Sequence, residues 1–304
     1  MPVTSSIHIA FNIDQNYVRF CAVTMASIFE NNKEDHIVAH IIQDGLNEHD
    51  KQELRSLAAQ YGNEVNFYSP DPKVLEGFTI RKFKKRITLA TYYRCLISEI
   101  LPQNIDKVIY LDCDILVLGK IRPFYDVDLG ENGVGVVDDM GSDDDIRYEI
   151  LRYPKECSYF NAGVLLINLS YWRANNISEQ CVDYYHKNHD RILFNDQDIL
   201  NALFYNKKTT LPYKWNMQDA FYRTKSPKQF TNDELLHPVI LHFTNRKPWD
   251  YDNQHPLKDL FFHYQNFTSW KGMHPHNNIK NVLKRFFRLL PFYLGVRAPK
   301  YKSL

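Results

Sequence analysis

Apolar and polar positions along this chain switch between two periods. "IHIAFN" (7–12), "HIVAHII" (36–42), "EVNFY" (64–68) and "KVIYL" (107–111) are short apolar runs of strand length. Between the first two, Cys21, Met25, Ile28 and Phe29 recur on one face at helical spacing. Asn47 is placed to cap a helix carrying Leu54, Leu57, Ala58 and Tyr61. A basic loop, "IRKFKKR" (80–86), precedes a helix expected near Thr91–Glu99. This alternation predicts an α/β fold, with a parallel-rich sheet and helices on both faces. Beyond residue 112 the pattern loosens. "GVGVV", "GVLLINL" and "VILHF" read as buried strands, and "ISEQCVDYYHKN" and "DQDILNALFYN" as helices.

Composition adds two constraints. The chain has 304 residues and is 44% hydrophobic, enough for one sizeable core. Its net charge of +1 hides a split. Residues 1–259 carry 29 Lys and Arg against 36 Asp and Glu, a net −7, whereas residues 260–304 carry eight basic residues and no acid. A boundary is therefore expected near 260, separating a catalytic domain (1–259) from a basic, aromatic extension (260–304). The five cysteines are odd in number and contain no Cys-x-x-Cys pair, which points to free thiols in a reducing compartment. The first residues lack the charge and apolar run of a signal peptide, and no apolar stretch is long enough to span a bilayer. The expected location is the cytoplasm, peripheral on the inner face of a membrane.

The candidate chemistry begins at "YLDCD" (110–114). If strand geometry continues past Leu111, Asp112 and Asp114 project to the same side. Two adjacent carboxylates are costly unless they share a proton or a cation, and hard oxygen ligands suit Mg²⁺ or Mn²⁺. A lone Asp-x-Asp also fits a solvated strand end. "YFNAGVLLINL" places Asn161 and Gly163 at a buried strand, where the amide offers donor and acceptor and the glycine allows close approach. "NDQDILN" opens a helix with Asp196, Gln197 and Asp198, positions equally suited to helix capping. His242 ends an apolar strand, where a satisfied core histidine is the plain alternative.

Taken together, these segments resemble glycosyltransferase family eight, the retaining nucleotide-sugar enzymes of the glycogenin and lipopolysaccharide galactosyl- and glucosyltransferase type. "YLDCD", "FNAGVLLINL", "DQDILN", "HF…KPW" and "TYYRCL" occur in the family's order between about Ile7 and Trp249. The resemblance implies a GT-A fold with a Rossmann-like nucleotide-binding sheet. It implies a UDP-hexose donor, galactose or glucose, and Mn²⁺ as metal with Mg²⁺ as the alternative. Asp112, Asp114 and His242 would hold the metal. Asn12, Asp14, Asn16 and Tyr17 would line base and ribose, and Lys247 would reach the diphosphate. Arg94, Asn161, Ala162, Asp196, Gln197 and Asp198 would surround the donor sugar. The chain departs from the family in "HFTNRKPW", which lacks a glycine and is one residue short, so Arg246 could stand in for Lys247. It departs again at Asn12, where the family often has Ala.

An amide is a poor nucleophile, so Gln197 favours attack on the same face as the leaving group over double displacement. Of the acidic run "VVDDMGSDDD", Asp138 or Asp139 could hold an acceptor hydroxyl, and Asp143–Asp145 read as a solvated loop. Two other functions use the same aspartates: a metal-dependent phosphohydrolase, and a non-catalytic sugar-nucleotide-binding module. The expected acceptor is a glycan or glycolipid, a precursor of a cell-surface polysaccharide or lipopolysaccharide. No nucleic-acid partner is expected. In the tail, Ile279, Val282, Leu283, Phe286, Phe287 and Leu290 recur at helical spacing among Lys280, Lys284, Arg285 and Arg288, with Pro291 expected to end the helix. Residues 277–304 therefore read either as a helix docked on the domain or as one lying on an anionic membrane.

Overall fold

The computed structural model describes residues 5–80 and 88–304. Beyond Ile80, the basic loop read at 80–86 lies outside the described residues. Strands β1 (Ile7–Asp14), β2 (Ile37–Asp44), β3 (Glu64–Tyr68) and β4 (Lys107–Leu111) run parallel. Helices α1 (Val18–Asn31) and α2 (Glu48–Ala59) connect the first three. Asn47 caps α2 as expected, its side chain accepting from the Asp50 amide at 2.8 Å.

The predicted helix near Thr91–Glu99 is mostly a 3₁₀ helix, Leu89–Leu96, followed by one α turn, α3 (Ile97–Ile100). The tighter helix eclipses side chains three apart, which brings Thr91 and Arg94 to one edge. After β4 the chain forms β5 (Ile115–Val117), then α4 (Arg122–Tyr125), β6 (Val134–Asp138) and α5 (Asp145–Leu151). Next come β7 (Phe160–Asn168), α6 (Leu169–Ala174), α7 (Ile177–Asn188), α8 (Asp196–Phe204) and β8 (Lys208–Thr210).

Among the described residues the main sheet has seven strands in the order β3-β2-β1-β4-β7-β6-β8. β7 runs antiparallel to both β4 and β6. One apolar core packs α1 and α2 on one face, and a second packs the 3₁₀ helix, α6, α7 and α8 on the other. From β1 the chain moves outward to β2 and β3, then returns to lay β4 on β1's other side. The carboxyl ends of β1 and β4 therefore flank a topological switch point, where open α/β sheets bind ligands. Asp14 ends β1 and Asp112 directly follows β4.

A second sheet joins β5 to β9 (Met217–Gln218) and, after α9 (Asn232–Leu236), to β10 (Ile240–His242). β10 lies between them, antiparallel to β5 and parallel to β9. This small sheet carries His242 to the switch point.

The charge boundary near residue 260 coincides with the start of α10 (Asp259–Gln265), which is packed rather than separate. Phe261 and Tyr264 are buried in the same core as α1, and Asn31 donates to the Tyr264 hydroxyl at 2.7 Å. The last helix, α11 (Ile279–Tyr293), runs through Pro291 instead of ending there. Proline in a final turn costs one backbone donor and still permits the two residues that follow.

α11 is docked in an inverted sense. Arg285 donates to the carbonyls of Tyr251 (2.8 Å) and Asn253 (3.1 Å), and Arg288 pairs with the buried carboxylate of Asp252 at 2.7 Å. Ile279, Leu283, Phe286 and Phe287 are exposed, Phe287 by 68%, and Leu289 is buried. The tail then folds back, and Tyr301 donates to buried Asp219 at 2.7 Å.

Two buried histidines make stability pH-dependent. His40 lies on β2 against Tyr68 (2.9 Å) and His8 (3.0 Å), and His255 is enclosed by Tyr222, Phe243 and Tyr301. Burial pushes both pKa values down to about 3. Both stay neutral in the fold and protonate near 6.5 once unfolded, so their stabilisation is full above that pH and is lost as pH falls towards 3. Unfolding free energy from urea titration should drop by about 2–3 kcal/mol between pH 6.5 and about 5. Equal stability across that window contradicts the assignment.

Candidate active site

The three expected metal ligands converge. One ligand atom from each of Asp112, Asp114 and His242 lies within 4.8 Å of the others. The convergence does not come from continued strand geometry, because β4 ends at Leu111 and residues 113–114 form a turn. The turn buries the Cys113 side chain and leaves the flanking carboxylates on the cleft side. Two backbone contacts complete the arrangement. The Asp112 amide donates to the Gly163 carbonyl at 2.9 Å, and the Phe243 amide to the Asp114 carbonyl at 3.0 Å. The first sets β7 beside Asp112. The second sets the end of β10, and hence His242, beside Asp114.

Each carboxylate is held through one oxygen and offers the other. Asp112 Oδ1 accepts from Arg94 (2.8 Å) and Tyr110 (3.0 Å), while its Oδ2 lies 4.0 Å from His242 Nε2. Asp114 Oδ2 is held by Lys247 Nζ, while its buried Oδ1 lies 3.2 Å from Nε2 and has no hydrogen-bond partner. Burial acts to raise the Asp114 pKa, but the Lys247 ammonium opposes it and the group lies well below the usual carboxylate range. His242 Nδ1 lies 2.9 Å from Asn216 Oδ1, which accepts only, so Nδ1 carries the proton and Nε2 presents its lone pair.

This donor set fits a divalent cation. Two carboxylate oxygens and one imidazole suit Mn²⁺ better than Mg²⁺, which prefers an all-oxygen shell. Gly163 keeps the space open: a Cβ there would stand 2.4 Å from His242 Cε1 and 2.7 Å from Asp112 Oδ2.

Arg94 lies behind the cluster, in contact with two acids. Its Nε pairs with Asp196 at 2.9 Å, its third nitrogen donates to the Ala162 carbonyl at 2.5 Å, and the guanidinium lies over the Tyr110 ring at 4.3 Å. It is buried, so it orients Asp112 and Asp196 instead of lining open space. Asp196 receives the Thr91 hydroxyl at 2.6 Å on its other oxygen. Burial raises the Asp196 pKa against the pull of Arg94.

Gln197 faces the cleft between these groups. Its Oε1 accepts from the Ala162 amide at 3.0 Å, which fixes the orientation of the side-chain amide, and from Asn161 at 3.3 Å. Its Nε2 donates to the Tyr159 hydroxyl at 3.1 Å and to Asp139 at 3.4 Å. Asn161 joins the two halves of the network. Its Oδ1 accepts from Gly163 N and Asn216 Nδ2, both at 3.0 Å, and its Nδ2 donates to Asp139 at 3.0 Å.

The remaining expected residues divide. Asp198 does not face the cleft: it is 2% exposed and accepts from Tyr159 (2.6 Å), Leu193 N (2.6 Å) and Phe194 N (2.7 Å). Burial raises its pKa, and its structural work is to fix the loop entering α8. Ala162 contributes through backbone bonds already made inside the wall. Asn12, Asp14, Asn16 and Tyr17 gather at the carboxyl end of β1, with Asp14 accepting from the Asn16 amide at 2.9 Å. The buried Oδ1 of Asn12 has no partner. Lys247 enters the cleft, whereas Arg246 turns away to Asp252, so Arg246 is no substitute for it. Trp249 stacks on Phe20 of α1 at 3.6 Å, which anchors the shortened segment.

Three contributors were not singled out from sequence. Asn216 orients His242. Arg147 pairs with Asp139 at 3.1 Å while clamped between the Tyr159 and Phe194 rings. Tyr159 bridges Gln197 and Asp198. Asp139 had been marked only as one of two alternatives in the acidic run. Of that run, Asp143, Asp144 and Asp145 are exposed, as expected of a solvated loop.

Replacing Asn216 tests the orientation of His242. Asn216→Ala should leave the fold intact and weaken Mn²⁺ binding by about 10–100-fold in calorimetry. An unchanged affinity would mean that the imidazole is not oriented by this contact.

With this geometry in view, the comparisons with known proteins agree with one another. The description Glycosyl transferase family 8 matches residues 8–253. The chain is 30% identical to the general stress protein A of Bacillus subtilis over 87% of this chain and 94% of that protein. It is also 30% identical to the lipopolysaccharide 1,3-galactosyltransferase of Salmonella typhimurium, over 86% of this chain and 79% of that one. Among solved structures, the galactosyltransferase LgtC, crystallised with donor and acceptor sugar analogues, matches with a TM-score of 0.77 at 26% identity. That match covers 86% of this chain and 96% of LgtC, and the shared architecture is the expected GT-A fold. The chain belongs to glycosyltransferase family 8.

Proposed function

We propose that this protein is a metal-dependent, retaining hexosyltransferase that moves galactose or glucose from a UDP-sugar to a hydroxyl of a glycan acceptor. The observation that carries this reading is the convergence of Asp112 Oδ2, Asp114 Oδ1 and His242 Nε2 at the switch point, directly beside the Gln197 wall. The relatives that transfer galactose or glucose in lipopolysaccharide support a cell-surface glycan precursor as acceptor.

Cleaving a sugar–phosphate bond builds negative charge on the departing diphosphate. Asp112, Asp114 and His242 would hold a divalent ion, which would supply Lewis-acid stabilisation of that charge. Lys247 adds a second cation at the same wall, carried there by the segment that Trp249 anchors. Arg94 holds Asp112 and Asp196 in place through its two ion pairs. Asn12, Asp14, Asn16 and Tyr17 form the lip assigned to base and ribose. The amide oxygen of Gln197 already accepts from Ala162 N and Asn161, which lowers its availability as a nucleophile. That favours attack by the acceptor on the leaving-group face, with Gln197 as a hydrogen-bonding group at the sugar and buried Asp139 positioning Gln197 and Asn161 from behind.

The inverted docking of α11 supports peripheral binding to an anionic membrane. A helix that spends its arginines on the domain and exposes Phe286, Phe287, Leu283 and Ile279 matches an interfacial helix. Among the described residues no helix is long and apolar enough to cross a membrane.

Two experiments test these readings. Asp114→Asn should lower sugar transfer by about 10²–10³-fold and abolish Mn²⁺-dependent UDP binding, with an unchanged circular dichroism spectrum. Wild-type turnover in that variant refutes the metal assignment. The double change Phe286→Ser/Phe287→Ser should reduce sedimentation with anionic vesicles and leave transfer to a soluble acceptor unaltered. Equal sedimentation of variant and wild type refutes the membrane role.

A further inference from the structure

The tail does more than expose an apolar face. Where it folds back it closes a cavity of about 210 Å³ against the segment that follows Lys247. Arg246, Arg288, Arg297 and Lys300 line this cavity, and Asp252 is the one carboxylate among the lining residues. Lys247 and Arg246 point in opposite directions: Lys247 Nζ reaches Asp114 in the cleft, and Arg246 NH1 lies 3.6 Å from Asp252. The cavity is thus separate from the metal cluster.

Its charges do not balance. Asp252 is buried, engages Arg288 at 2.7 Å through Oδ2, and has no hydrogen-bond partner on Oδ1. Arg297 and Lys300 meet no carboxylate at ion-pair distance among the described residues. Four cations around one carboxylate repel one another unless an anion joins them. Burial lowers the Lys300 pKa, with Arg223 and Arg246 acting in the same direction and Asp219 and Asp252 against it.

The backbone holds this arrangement in place. The Arg297 amide donates to the Pro291 carbonyl at 2.9 Å, and the turn between them uses Gly295 at φ +69°. The Thr224 amide donates to the Lys300 carbonyl at 3.1 Å, and Tyr301 pairs with Arg223 in an antiparallel bridge. These contacts set Arg297 and Lys300 over Arg246 and Arg288.

We propose that this cavity binds a phosphate group, either an anionic lipid headgroup or the phosphate of a soluble ligand. Guanidinium forks match the tetrahedral oxygens of phosphate, and the lysine adds a point charge. Exposed Tyr293, Leu294 and Val296 stand in the same turn, where the apolar part of an amphiphile would lie. The site is independent of donor binding, so it can hold whether or not the proposed sugar transfer does.

The test compares the full-length wild type with Arg297→Gln/Lys300→Gln, two exposed positions outside the cleft. Calorimetry with inorganic phosphate in metal-free buffer should show one site in the wild type, weakened by salt, and an affinity about tenfold lower in the variant. UDP binding with Mn²⁺ should be equal in both, which verifies the fold. Arg297→Lys, which keeps the charge but loses the guanidinium fork, should bind phosphate with an affinity between those of the wild type and the double variant. Wild-type protein that binds no phosphate outside the UDP site, or a double variant that binds it equally well, overturns the proposal. Sedimentation with phosphatidylcholine vesicles, with and without phosphatidylglycerol, identifies the source. Reduced binding of the double variant to the phosphatidylglycerol vesicles assigns the site to a lipid headgroup. Unchanged vesicle binding with lost phosphate binding assigns it to a soluble phosphate-bearing ligand.

Discussion

Two carboxylates held at the end of a buried strand repel each other, and much of the site is organised around that repulsion. Each is neutralised from outside the space between them. Arg94 and Tyr110 hold one oxygen of Asp112, and Lys247 holds one oxygen of Asp114. The other two oxygens and His242 Nε2 are left facing one another. Every supporting contact follows from this arrangement. Asn216 fixes the imidazole tautomer, Gly163 leaves room, and the small sheet of β5, β9 and β10 brings His242 from a distant part of the chain. The hydrogen-bond network is continuous as far as Gln197, Asp139 and Arg147, so the carboxylate cluster and the Gln197 wall are mechanically one. Buried polar networks of this kind are costly when partly satisfied and stiff when complete.

The tail is built on the reverse of the usual rule. Amphipathic helices normally bury their apolar face, but α11 binds through Arg285 and Arg288 and leaves two phenylalanines in solvent. Its far end is also fixed, since Tyr301 sits beside His255 and bonds to buried Asp219. A surface held this firmly with its apolar residues outward is suited to a second phase or a partner. Its base adjoins the cavity lined by Arg246, Arg288, Arg297 and Lys300.

Much of this was legible in the sequence, for identifiable reasons. β1, β2 and β4 were marked because buried parallel strands are nearly continuous apolar runs, and the edge strand β3 by its alternation; "EVNFY" and "KVIYL" match their strands residue for residue. The Asp112, Asp114 and His242 cluster was legible because its members lie in short blocks of distinctive order. Asn216, Arg147 and Tyr159 were not, because each acts through a contact across the fold: Asn216 meets His242 over 26 residues, and Tyr159 meets Asp198 over 39. At Asp198 residue type left capping and ligand contact equally open, and the resemblance favoured the sugar; its oxygens are taken up by Tyr159 and the backbone. Charge counting detected the tail but not its orientation, since it cannot tell an arginine that docks from one that is solvated.

Anomalous diffraction at the manganese edge, from crystals grown with Mn²⁺ and UDP, tests the central claim most directly. A single strong peak bounded by Asp112 Oδ2, Asp114 Oδ1 and His242 Nε2 is the predicted result. A peak elsewhere in the cleft, or bound UDP with no manganese at these three atoms, would contradict it.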